Sequence, residues 1–157
     1  MPEYLILKTI HILSSVALVG VGFGSAFYLF CANRTRNTQA QAVVARFVVL
    51  ADWIFTTPAI ILQFVTGIGL AHMAGWPLST PWIAWSIGLY FFTGACWLPV
   101  VWLQIRMRRM VEQAARENKP APELYWRYAR YWEMLGYPAF AAMIIVYFLM
   151  VNKPAFL

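Results

Sequence analysis

The chain has 157 residues, of which 62% are hydrophobic and only 11% are charged. A soluble domain carries about 25% charged residues, so this composition excludes an ordinary soluble enzyme and favours an integral membrane protein. The formal net charge of +6 does not indicate a nucleic acid partner, because the cations fall between apolar segments, as membrane topology signals do.

Four apolar segments are long enough to cross a hydrocarbon core, which takes about 20 helical residues. They cover roughly residues 5–31, 47–73, 82–105 and 135–151. The sequence therefore predicts an all-α fold, a four-helix bundle embedded in the membrane as one domain over residues 1–157. A tight turn, Gly75-Trp76-Pro77, joins the second span to the third.

Basic residues are concentrated in the first and third connections, and the Gly75-Trp76-Pro77 turn has none. They are Arg34, Arg36, Arg46, Arg106, Arg108, Arg109, Arg116, Lys119, Arg127 and Arg130. Because Lys and Arg are enriched in cytoplasmic loops, we expect an up-down-up-down topology. Both termini would then be periplasmic in a bacterial inner membrane.

Each span has one polar stripe when its residues are placed at about 100° per residue. Such stripes turn inward in lipid, where polar groups have no water to bind. The stripes are Lys8, His11, Ser15, Gly22 and Ser25; Asp52, Thr56, Ala59, Gln63 and Thr66; Ser86, Tyr90, Thr93, Trp97 and Gln104; and Glu133, Tyr137, Phe140 and Tyr147.

Matching the depths of these stripes predicts two polar clusters. The outer cluster surrounds His11 and contains Gln63, Thr66, Ser86, Tyr90 and Tyr147. The inner cluster contains Asp52, Trp97, Gln104, Glu133 and Tyr137. The alternative for the outer cluster is a set of hydrogen bonds that hold the helices together. The alternative for the inner carboxylates is solvation at the membrane interface.

An ionisable side chain at membrane depth indicates a functional site, and His11 is one of only two histidines. A single imidazole suits a five-coordinate haem b or a bound porphyrin. His72 is the alternative second ligand, although the helical wheel turns it away from the polar stripe. No Cys-x-x-Cys-His run exists, so covalent haem attachment is unsupported.

The residues that this hypothesis assigns to cofactor binding share a stripe or a depth with His11. They are His11 as iron ligand, with Lys8, Ser15, Gly22, Gln63, Tyr90 and Tyr147. Lys8 would either pair with a propionate or extend to water at the interface. Gly20 and Gly24 have GxxxG spacing, which indicates either close helix packing or clearance for a flat cofactor.

Several stretches resemble an uncharacterised bacterial family of four-span integral membrane proteins, a domain of unknown function. They are residues 7–12, Thr57-Pro58-Ala59 with Gly67 and Leu70, residues 97–109, and the end from Tyr137-Pro138 to Lys153-Pro154. The likeness implies the helical bundle and brings no activity with it.

Other stretches are more distantly similar to the HemJ type of protoporphyrinogen oxidase, a small haem-binding membrane protein. They are Lys8-x-x-His11, Gly24-x-x-Phe27-Tyr28-Leu29, Pro58 with Gly67, and Lys153-Pro154-x-Phe156. The resemblance implies haem binding and a functional role for His11. Two features depart from that family's pattern. The third span opens with Trp82-Ile83-Ala84-Trp85 and contains no histidine, and Arg130-Tyr131-Trp132-Glu133 alters the run before the last span.

The favoured function is therefore binding of haem b or a porphyrin, with electron transfer to or from quinone or a HemJ-like oxidation. The alternative is a non-catalytic membrane subunit or assembly factor of a larger complex, which would make contact through Ile61, Val65 and Ile68. A third hypothesis is a small transporter with a proton path through His11 and two carboxylates. A homodimer is also expected, because four spans enclose little core.

Overall fold

The computed structural model describes residues 2–154, and these residues form five α-helices and one π-helical turn. The helices are α1 (Pro2–Thr35), α2 (Thr38–Ala51), α3 (Thr57–Met73), α4 (Pro81–Arg116) and α5 (Glu123–Asn152). The π turn, Asp52–Thr56, makes α2 and α3 one continuous segment. Phe156, which belongs to one of the HemJ-like motifs, lies outside the described residues.

Four helical segments are long and apolar enough to cross a membrane. They are Pro2–Thr35, Thr38–Met73, Pro81–Arg116 and Glu123–Asn152. The predicted all-α fold with four spans is thus confirmed for residues 2–154. The side of the membrane on which each end lies stays a prediction, and so does the up-down-up-down topology with both termini outside.

The helices are longer than the predicted spans, and the extra turns carry most of the basic residues. The second segment begins at Thr38, the third continues to Arg116, and the fourth begins at Glu123. A 36-residue helix is about 54 Å long, whereas the hydrocarbon core is about 30 Å thick. Apart from Arg36, which lies in the turn between α1 and α2, the arginines expected in loops lie on helical extensions, because a helix that leaves the lipid still satisfies its own backbone hydrogen bonds.

Two connections lie at one end of the bundle, which we call the basic end. Asn37 caps α2, its side chain accepting hydrogen bonds from the N–H groups of Gln39 and Ala40. At the end of α4, Asn118 adopts a left-handed conformation (φ 52°). There the N–H of Lys119 donates to the carbonyl of Ala114 at 2.9 Å, which completes a Schellman motif.

The opposite end, which we call the turn end, contains the connection from α3 to α4. Gly75 has φ 72°, a conformation that costs glycine little. The N–H of Trp76 donates to the carbonyl of Ala71 at 2.9 Å, and the N–H of Gly75 donates to that of His72 at 3.1 Å. These two bonds are the Schellman pattern, so the predicted tight turn is confirmed.

Pro58 accounts for the π turn. Proline has no N–H, and its ring clashes with the carbonyl four residues earlier, so a regular α-helical turn is disfavoured before it. The backbone widens instead, and the N–H of Thr57 donates to the carbonyl of Asp52. The Thr57 hydroxyl donates to the same carbonyl at 2.8 Å. Turns of this kind are frequent at functional sites, and this one carries a buried carboxylate.

The main core lies toward the basic end, where α4 packs on α5 and α2 packs on α4, with the end of α1 beside them. Its buried members are Leu29, Ala45, Val48, Val100, Leu103, Met107, Val111, Tyr125, Ala129 and Trp132. A smaller cluster at the turn end consists of Ala71, Trp82, Ile83 and Leu149. Elsewhere large apolar side chains are exposed, as suits contact with a lipid bilayer.

Candidate functional site

His11 lies between α1 and α3, toward the turn end. Its Nδ1 atom is 2.8 Å from the hydroxyl oxygen of Thr66. A Cβ atom on Gly67 would lie 3.2 Å from His11 Cε1, so the ring packs against bare backbone of α3. The structure therefore turns His11 toward the second span, as the polar stripes predict.

Thr66 determines which ring nitrogen of a neutral His11 carries the proton. The Thr66 hydroxyl has a single hydrogen, which it donates to the carbonyl of Leu62 at 2.5 Å. Toward His11 this oxygen must accept, so the proton is assigned to Nδ1. The Nε2 lone pair is then available to accept a hydrogen bond or to bind a metal.

Ser14 is a second polar link between α1 and α3. It is buried, its hydroxyl donates to Oε1 of Gln63 at 2.6 Å, and the carbonyl oxygen of His11 lies 2.9 Å from the same hydroxyl. The predicted stripe of α1 passes through Ser15 and leaves Ser14 out. The sequence does contain a signal for Ser14, since it lies three residues after His11, and residues i and i+3 are neighbours on a helix.

The other residues of the predicted outer cluster bond to backbone atoms and not to His11. The Tyr147 hydroxyl donates to the carbonyl of Ser15 at 3.1 Å. The Tyr90 hydroxyl donates to the carbonyl of Ile60 at 3.1 Å, and Ser86 donates within its own helix. The two tyrosine bonds link helices, which is the role that the alternative for this cluster describes.

Lys8, Gly22 and His72 are not joined to His11 by any hydrogen bond in the part of the chain that the structure describes. Lys8 is exposed one turn before His11. His72 is exposed near the end of α3, six residues after Thr66, which places it about 240° around the helix. Gly22 lies about 16 Å along α1 from His11.

The predicted close packing at Gly20 and Gly24 is wrong. A Cβ atom on either glycine would meet nothing within 4 Å. Both instead line an apolar groove of about 410 Å³ between α1 and α2. Larger side chains such as Phe47 and Tyr28 also line this groove.

A buried carboxylate forms the centre of a second polar site. Asp52 is only 5% exposed, and its Oδ1 accepts a hydrogen bond from the Thr56 hydroxyl at 2.9 Å. The Gln104 amide, oriented to satisfy both neighbours, donates from nitrogen to Asp52 Oδ2 at 2.7 Å. Its oxygen accepts from the indole N–H of Trp132 at 3.3 Å.

This network confirms that Asp52 and Gln104 meet, and it adds Trp132. The prediction that Tyr137 belongs to the inner cluster is wrong, because its side chain is 68% exposed. The buried face of α5 passes through Trp132, and Tyr137 lies five residues later, about 140° around the helix. Glu133 is half-buried and has no hydrogen bond to Asp52 among residues 2–154.

The donor chemistry of His11 fits an axial ligand of haem iron, which needs one neutral imidazole. Within residues 2–154 no three His, Cys, Asp or Glu side chains group together to chelate a metal ion. The groove between α1 and α2 does not border His11, and neither does a smaller cavity beside Asp52. A haem held by His11 would therefore lie outside these two cavities.

Comparison with known proteins identifies the family and nothing finer. No curated protein and no solved structure matches the chain. Residues 5–154 match the family model described as "Predicted integral membrane protein (DUF2269)". Because this match covers nearly the whole sequence, the chain belongs to the DUF2269 family of predicted integral membrane proteins.

Proposed function

We propose that this protein binds a b-type haem or a related porphyrin in the membrane, with Nε2 of His11 as the ligand. The observation that carries the proposal is the hydrogen-bond chain from His11 through the Thr66 hydroxyl to the carbonyl of Leu62. Histidines that bind metals donate their other ring N–H in this way, which fixes the tautomer and the orientation of the ring.

The residues around His11 have separate tasks in this proposal. Thr66 holds the ring and raises the basicity of Nε2. Gly67 leaves room for the ring against α3, and the contact between Ser14 and Gln63 fixes the two helices beside it. Lys8, exposed one turn away, is available to pair with a propionate.

The resemblance to the HemJ type supports the same ligand, because its first-span motif falls on Lys8 and His11. The absence of a histidine from the third span favours a single protein ligand over a pair. A bound haem supplies one-electron redox chemistry. With the basic end in the bacterial cytoplasm, His11 would hold the haem near the periplasmic face, within reach of quinone or another redox partner.

The test is an absorption spectrum of the purified protein, oxidised and then reduced with dithionite. We expect a Soret band and a stoichiometry of one haem per chain. His11→Ala should lose the band, whereas His72→Ala, a matched control at an exposed histidine, should keep it. The wild-type protein should also recover the band when haemin is added to a preparation that lacks it.

Two results would overturn the proposal. One is a wild-type protein that stays colourless and binds no added haemin, and the other is a His11→Ala spectrum identical to that of the wild type. A colourless protein that copurifies with a larger membrane partner would favour the non-catalytic subunit instead. Ile61 and Val65 are exposed on α3, so they are the residues to substitute in testing that contact.

A further inference from the structure

A small cavity lies beside Asp52, at the seam between the second span and α4. Its volume is about 180 Å³. This is the volume of about six water molecules in the liquid. The residues that line it include Asp52, Thr57 and Gln104, together with Trp53 and Trp97, and the lining is almost entirely apolar.

The negative charge of Asp52 has no positive partner in the described residues. Between positions 2 and 154, the ion pairs within 4.0 Å are Arg108–Glu112 and Lys119–Glu117. Thr56 and Gln104 donate hydrogen bonds to Asp52 but bring no charge. A buried carboxylate is costly unless a cation or a proton neutralises it, and two hydrogen bonds leave further lone pairs free.

The composition of the cavity walls selects the class of cation. Calcium takes six to eight oxygen ligands, and magnesium takes six in an octahedron. Here the lining residues with side-chain oxygens are Asp52, Gln104 and Thr57. The Gln104 oxygen already accepts from Trp132, and the Thr57 hydroxyl already donates to the backbone of Asp52. The indoles of Trp53 and Trp97 cannot ligate a metal ion through oxygen, but indole faces attract organic cations.

We propose that this cavity binds a small substituted ammonium ion, with its charge on Asp52 and its carbon-bound surface against Trp53 and Trp97. The site is independent of the haem proposal. Thr66, the hydrogen-bond partner of His11, lies fourteen residues after Asp52, which is about 21 Å along the second span. Asp52 is the first residue of the π turn, so the path of the backbone there determines where its carboxylate lies between the second span and α4.

The experiment is a calorimetric titration of the full chain in lipid nanodiscs with tetramethylammonium chloride and with choline chloride. Sodium chloride at the same ionic strength is the blank. We expect saturable binding of at least one of the two ammonium ions. Asp52→Asn, which keeps the side-chain shape, should weaken it at least tenfold, and Trp97→Phe should weaken it less.

Two control variants keep the test specific. Glu133→Gln removes a half-buried carboxylate of α5 that does not line the cavity, and Trp85→Phe removes an exposed indole of α4 about 18 Å from Trp97. Both should bind like the wild type. The melting temperature of each variant shows that it is folded, and Trp97→Phe remains informative if Asp52→Asn is not.

Three outcomes would overturn the proposal. The first is a wild-type titration without saturable heat, and the second is unchanged affinity in both Asp52→Asn and Trp97→Phe. The third is an infrared band of a protonated carboxylic acid that Asp52→Asn removes and that neither ammonium ion displaces, because the carboxyl group would then hold a proton. None of these outcomes bears on the haem proposal, which the absorption spectrum tests separately.

Discussion

The two ends of this bundle differ in how they are held together. At the basic end Tyr125, Met107 and Val111 are completely buried, as in the interior of a soluble protein. Toward the turn end, the first half of α1 buries only Ser14 and Ser15. Apart from the small apolar cluster around Trp82, the helices there are linked by single polar contacts such as the one between His11 and Thr66.

This difference follows from the solvent that surrounds each end. The helices exceed the thickness of the hydrocarbon core, and the arginines lie at the basic end, so that end extends into water, where apolar burial is favourable. Lipid tails are as apolar as leucine, so helices within them associate through packing and hydrogen bonds. We therefore expect the basic end to contribute most of the free energy of unfolding. Ligand sites are expected in the part of the helices that lies within the lipid.

The largest expected effect is at the basic end. Tyr125→Ala should lower the free energy of unfolding by about 3–5 kcal/mol, because it removes a fully buried aromatic ring and the hydroxyl that donates to Asn33. The measurement is denaturant unfolding in detergent. Tyr137→Ala, on the exposed face of the same helix, is the control and should cost little. Equal losses in the two variants would contradict the proposed difference between the two ends.

At the turn end, we expect a ligand effect larger than the stability effect. Thr66→Val keeps the side-chain shape but removes the oxygen that accepts from His11. Loss of such a partner lowers metal affinity by about 10–100-fold, which is about 1.4–2.8 kcal/mol. Haem titration measures it. Thr93→Val is the matched control, because the Thr93 hydroxyl has no hydrogen-bond partner among the described residues.

A smaller effect is expected from crowding the His11 ring. Gly67→Ala would place a Cβ atom 3.2 Å from Cε1, so the ring must shift by a few tenths of an ångström. We expect the crowding to cost about 1 kcal/mol, at the low end of overpacking costs, which offsets the gain of about 0.5–1 kcal/mol that alanine brings to a helix interior, and we expect the absorption band to shift. Gly88→Ala has open space at its Cβ, so it should gain about 0.5–1 kcal/mol from the higher helix propensity of alanine and leave the absorption band unchanged. Identical spectra for the two variants would mean that the ring is not held against α3.

Helical rotation alone located most of the inward polar residues of the second and third spans. Asp52, Thr56, Thr66, Ser86 and Gln104 are all buried, as the stripes predict. In these spans the polar residues are few and recur at helical spacing, so only one rotation of the helix buries the polar set. The same reasoning places His72 away from His11, and it is exposed.

The inner face of the fourth span was harder to predict, because aromatic residues lie on several faces of this helix. Tyr131, Tyr137 and Tyr147 all lie on exposed positions, whereas Tyr125 and Trp132 are buried, so aromatic character does not mark the inner face of α5. The proton position on His11 could not be predicted either. It depends on which acceptor receives the single hydrogen of the Thr66 hydroxyl. That acceptor is the carbonyl of Leu62, and only the packing of α1 on α3 brings His11 to the same oxygen.

The smallest effect is expected in the exposed loop of the basic end, where Lys119 donates to Glu117 at 2.8 Å. This hydrogen bond lowers the pKa of Glu117 from its usual 4.5 and raises the pKa of Lys119 from its usual 10.5. The stabilisation that this ion pair provides is therefore fully present between pH 4.5 and pH 10.5. It is lost in acid as the pH falls through the lowered pKa of Glu117, and in alkali as the pH rises through the raised pKa of Lys119.

Because both groups are solvated, Glu117→Gln should leave the thermal midpoint at neutral pH nearly unchanged. The midpoint of the wild type should then approach that of the variant as the solution is acidified. A large shift at neutral pH would mean that the basic end depends on its surface charges. Its stability could then no longer be attributed to the buried side chains around Tyr125.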